Sequence, residues 1–228
     1  MLKNYIQNKQ LNEQVQNFYT PSGIHVYFKD QMLNDWVDIE EVVLKLESLM
    51  PQFFFNEMDM IIVGHFGEFE KRHINAFYKD SALYVSNFQT NNEDLLDDLV
   101  HEMAHAIEEA YGYEIYADSE IKDEFLNKRN NLYHILWKMG FKAPKSLFLD
   151  TEYNKEFDDF LLKDIGYDKL AAIMQGMFIN PYAATSLREY FATAFTEFYL
   201  HTDEHRFLKT ISPQAYKKII LINRLDKV

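Results

Sequence analysis

The chain has 228 residues, 47% of them hydrophobic, with 19 Phe and 15 Tyr, enough large apolar surface for a packed core without covalent staples. Its 0 Cys exclude a disulfide framework, a thiolate metal site and a cysteine nucleophile. A formal net charge of -13 repels phosphate backbones and anionic lipid, so nucleic acid and membrane surfaces are not expected partners, whereas cations are favoured.

In chain order, the Asn/Gln-rich first twenty residues carry Leu2, Tyr5, Ile6, Leu11, Val15 and Phe18 at loose helical spacing, which predicts a helix. The opening stretch has no apolar signal core, and no run reaches the length of a membrane span. A soluble chain, cytoplasmic or associated with an assembly, is expected. Residues 24 to 28 (IHVYF) alternate as a strand does. Asp38 and Glu41 form a capping box ahead of a helix that ends before Pro51. Residues 58 to 63 read as a strand, and 74 to 78 with 82 to 86 as a hairpin around Lys79, Asp80 and Ser81. Beyond residue 90 the pattern is helical, near 93–111, 119–139, 154–163, 168–178, 186–200 and 213–225, the last starting at Pro213. Strands first and helices later predict an α+β fold with segregated layers.

The chemistry is concentrated at residues 101 to 105, His-Glu-Met-Ala-His. On a helix, positions i and i+4 share a face, so His101 and His105 can reach one ion, and Glu102 can reach a water beside it. The bland alternative is a polar helix face with two satisfied histidines, since His101 and His105 lie with Asp97, Asp98 and Glu108 opposite the apolar arc Leu95, Leu96, Leu99, Met103, Ala106 and Ile107. Two histidines alone bind zinc weakly, so a third ligand must come from another element. Glu189, in SLREYFATAFTEFYL (186–200), is a candidate ligand, but Ser186 and Glu189 also make a capping box. His134, His201 and His205 are rival ligands.

HEMAHAIEEAYGY (101–113) followed by PYAATSLREYFATAF (181–195) resembles the catalytic domain of anthrax lethal factor and its relatives, a family of gluzincin metallopeptidases. The likeness covers roughly residues 55 to 228. It implies a zincin-like domain over 51–228, with 1–50 as an appendage or packed lobe. It also implies Zn²⁺ held by His101, His105 and Glu189, with Tyr182, seven residues before Glu189, assisting the reaction. Two departures stand out. Position 193 is Thr where the toxin has an acidic residue, and the helical insert between His105 and Glu189 is long. The toxin's delivery domains have no counterpart, so the likeness implies the chemistry and not the toxin role.

The expected function is therefore a zinc-dependent endopeptidase acting on a peptide or protein substrate, in which a metal-activated water attacks and Glu102 is the general base. The strand at 82–87 is expected to be the edge that pairs with extended substrate, and the acidic surface favours basic peptides. The alternative is a metalloprotease fold used as a structural or binding component of a larger assembly, such as a phage virion; a secreted effector is a third reading. His101, Glu102, His105 and Glu189 occurring together favours the enzyme.

Overall fold

The computed structural model describes residues 17–72, 74–201 and 204–225. The helix expected within the first twenty residues lies outside the described residues up to position 16, and Phe18, the last position of its apolar spacing, is in a strand instead. The fold is α+β, a five-stranded mixed sheet followed by helices. The chain divides into two compact units, residues 1–107 and 108–228. No described helix is long and apolar enough to cross a membrane.

In the first unit the sheet comprises β1 (Phe18–Tyr19), β2 (His25–Phe28), β3 (Met60–Gly64), β4 (Ala76–Lys79) and β5 (Ala82–Ser86), in the order β1-β2-β3-β5-β4. β2, β3 and β5 run parallel, and β1 and β4 are antiparallel to their neighbours. This corrects one expectation: residues 82–87 are not the sheet's edge, because β5 is paired on both sides. The edge on that side is β4, with β5 its one strand neighbour among the described residues, and β1 is the other edge. The parallel strands bury Val26, Ile61, Val63, Leu83 and Val85, as β-branched and aliphatic side chains do on a covered pleat.

α1 (Ile39–Leu49) forms where the sequence predicts it, with the Asp38 side chain accepting from Glu41 N–H at 3.0 Å. The reciprocal half of the capping box is replaced: Asp38 N–H donates to Asn92 Oδ1 at 2.9 Å. Two further bonds tie this loop to the segment that launches the next helix, Asn34 Nδ2 to Gln89 O at 2.6 Å and Trp36 Nε1 to Thr90 O at 3.0 Å. The short α2 (Gly67–Arg72) precedes the hairpin and was not legible as a helix in the sequence. α3 (Asn92–Tyr116) is the long helix of the chain, and the boundary between the units falls within it. Its one non-helical residue is Tyr111, φ -115° and ψ 24°, where the expected helix ends; the chain bends there and continues for another turn.

The second unit holds α4 (Glu120–Lys138), α5 (Lys145–Leu149), α6 (Lys155–Asp159), a π-type turn to Ile165, α7 (Tyr167–Met174), a 3₁₀ turn (Tyr182–Ala184), α8 (Leu187–Leu200), α9 (Arg206–Ile211) and α10 (Pro213–Ile222). α8 packs on α4, α9 and α10. It is buried nearly all round, Thr193 and Thr196 along with Phe191 and Phe195, as a helix in a central position is. Glu124 stitches this unit together. Its carboxylate accepts from Tyr190 OH at 2.8 Å and from Gln214 N–H at 2.9 Å, which satisfies the N-terminus of α10. Lys128 donates to Tyr190 OH, to Ser212 Oγ and to Ile211 O, and burial, opposed in part by Glu124, brings its pKa down to about 8.

Candidate metal centre

α3 begins at an Asn91 cap, whose side-chain oxygen accepts from Asp94 N–H at 2.7 Å. From that start the helical period sends Leu95, Leu96, Leu99, Val100, Met103, Ala104, Ala106 and Ile107 into the interior. His101, Glu102 and His105 are left half-buried. Ligand atoms of these three side chains all lie within 4.8 Å of one another. The two imidazoles meet edge to face, with ring centroids 5.2 Å apart. This donor set suits zinc: two imidazoles one turn apart on a helix, with a carboxylate between them in sequence.

Glu102 is held from outside its helix. Its Oε2 accepts from the backbone N–H of Tyr78, in edge strand β4, at 2.8 Å. The Glu102 carboxylate thus stands beside an edge of the sheet. Nothing in the residue types foretells this contact, because the donor is main chain.

Asp98, three residues before His101, is a second acidic group of the site. One of its carboxylate oxygens is buried without a hydrogen-bond partner. Burial, then the charges of Asp97 and Glu102, push its pKa from 3.8 up to about 7, while His101 pulls the other way. Between about pH 4 and 7 the folded chain therefore keeps a proton that the unfolded chain has lost, so stability falls as pH rises through that window. At about 1.4 kcal/mol per unit, the fall amounts to about 4 kcal/mol at most. Asp98→Asn should remove it. Urea unfolding of zinc-free protein at pH 5 and pH 8 checks this: the variant gains on wild type at pH 8, and an equal difference at the two pH values would refute the assignment.

The other residues singled out in the sequence lie in the second unit. Tyr182 opens the 3₁₀ turn, is exposed, and accepts at its carbonyl from Thr185. Glu189 is in the first turn of α8, half-buried, its N–H donating to Ser186 Oγ at 3.2 Å. The capping half of the sequence reading is thus present, made by the Glu189 main-chain N–H. Thr193, one turn on, buries a hydroxyl with no hydrogen-bond partner. Of the rival ligands, His134 lies against Tyr133, His201 pairs with Glu197 at 3.2 Å, and His205 stacks on Phe198 at 4.2 Å with its backbone in the left-handed region.

Glu108, assigned to a polar face by the sequence, is instead buried. It accepts from Tyr116 OH at 2.6 Å and from Arg188 Nε at 2.7 Å. Burial and the Glu108 charge raise the Tyr116 pKa, so that hydroxyl stays a donor.

No family model matches the chain, and no curated protein matches it. Among solved structures the chain is similar to one described as a "putative zinc-binding metallo-peptidase" from Bacteroides caccae ATCC 43185, at 12% identity and a TM-score of 0.41, over 97% of this chain and 85% of that one.

Proposed function

We propose that the chain is a zinc-dependent endopeptidase. The observation that carries this reading is the clustering of His101, Glu102 and His105 within ligand distance on one helix, with Glu102 bonded to the sheet's edge strand. The likeness of residues 101–113 and 181–195 to the lethal-factor-like gluzincins supports it and assigns the remaining roles. His101 and His105 are two zinc ligands and Glu189 the third. Zinc bound there supplies a water of lowered pKa, near about 7, and polarises the scissile carbonyl.

The protein's own groups do the rest. Glu102 accepts a proton from the attacking water and returns it to the leaving amine. The Tyr78 amide holds one oxygen of that carboxylate, and the proton transfer is the role of the other. Tyr182 donates a hydrogen bond where negative charge develops on the former carbonyl oxygen; a donor of this kind is typically worth about 3 kcal/mol. The substrate backbone lies along β4, whose outward groups pair with an extended peptide.

Zinc content by mass spectrometry tests the ligand set. Wild type should carry one zinc per chain and Glu189→Ala far less. An unchanged content in the variant would move the third ligand to His134 or His201. A wild type that takes no zinc even after reconstitution would overturn the reading.

A further inference from the structure

Glu108 stands three residues beyond His105, and the helix is unbroken between them because its non-helical residue comes later, at Tyr111. Its side chain is 7% exposed. A carboxylate this buried is costly unless it is paired, and its two strong bonds, to Tyr116 OH and Arg188 Nε, hold it in a discrete place. Arg188 directly precedes Glu189 in the first turn of α8.

The start of α8 is anchored without this pair. Ser186 caps it, Leu187 N–H donates to Thr151 O at 2.8 Å, and the Thr185 carbonyl accepts from Arg129. Folding of the helix therefore does not need a buried acid joined to a residue whose own side chain is 54% exposed. What the pair adds, within the second unit, is a fixed link between the first turn of α8 and Glu108.

We propose that Glu108 and Arg188 are a positioning pair that sets the Glu189 carboxylate for zinc. The proposal rests on Glu189 being the third ligand. Partners of this kind, one shell out from a metal, typically govern about 10- to 100-fold in metal affinity.

The test is zinc affinity, by competition with a chelating dye, in wild type, Glu108→Gln, Glu189→Ala and the double variant. Thermal unfolding of each zinc-free protein is measured alongside. Glu108→Gln should weaken zinc by about 10- to 100-fold and have no further effect once Glu189 is alanine. Any loss in zinc-free melting temperature should be the same in both backgrounds, as a purely structural contribution would be. Arg188→Met, at a more exposed position, should reproduce the zinc effect and serves if Glu108→Gln folds poorly. Equal weakening with and without Glu189, or none in its presence, overturns the proposal. Zinc affinity unaffected by Glu189→Ala alone instead marks failure of the ligand assignment beneath it.

Discussion

Glu102→Gln is expected to lower peptide hydrolysis by about 10²- to 10⁴-fold while zinc content stays at the wild-type level. The amide keeps the size of the carboxylate and can still accept the Tyr78 N–H through its oxygen. What it cannot do is take a proton from water. The loss should fall on kcat and kcat/KM alike, since proton transfer belongs to the transition state and not to peptide binding. Turnover of a quenched fluorescent peptide, with zinc measured on the same sample, reads both quantities. A variant within threefold of wild type would remove Glu102 from the chemistry, and a variant that also loses its zinc would make Glu102 part of the metal's ligand set.

The second large effect concerns stability. Arg129 is fully buried, its guanidinium 3.9 Å from the centroid of Phe157 and 5.2 Å from that of Phe125. It donates to the carbonyls of Leu147 and Thr185, while its Nε has no partner. Burial lowers its pKa to about 10, with Asp150 opposing, so it remains charged at neutral pH. Exchanging a buried ion pair for apolar residues is often harmless, because both charges leave together. Here the acceptors are backbone carbonyls, which stay behind whatever replaces the arginine. Arg129→Met should therefore cost about 3 kcal/mol, or about 10 °C in melting temperature for a chain of this size. Arg129→Lys should recover little, since an ammonium cannot serve both carbonyls and lie flat on Phe157. Calorimetry decides the point, and a shift of less than about 2 °C for Arg129→Met would show that the guanidinium is dispensable.

The fold class could be read because every described strand lies before residue 90 and the elements described after it are helical. The hairpin, the capped α1 and the Pro213 start each had a local chemical signal. The short helices at 67–72, 145–149 and 206–211 span too few residues to show a period. Strand order was out of reach for a different reason. β5 and β4 are both apolar, and which one ends the sheet depends on pairing with β3, a long-range event that no local pattern records. His101, Glu102 and His105 were legible because one helix turn brings them together. Glu108 was misjudged because helical spacing says which residues share a face, but not what covers that face; Tyr116 and Arg188 cover it. Arg129 gave no signal for the same reason, sitting among charged residues of an ordinary helix.

The contact between Tyr78 and Glu102 has an unusual dependence on chain geometry. The donor is a peptide N–H, so of the residues that could occupy position 78 only proline would delete it. Its direction is set by the pairing of β4 with β5, in which Lys79 faces Ala82 across the two residues Asp80 and Ser81. Both of these have positive φ, 51° and 59°, as a tight hairpin turn with the twist of its strands requires. Because main-chain groups alternate between the two edges of a strand with period two, a one-residue slip of that register would turn the Tyr78 amide toward β5 and away from Glu102. The hold on the Glu102 carboxylate is thus written in the register of a hairpin, where a slip matters more than most substitutions.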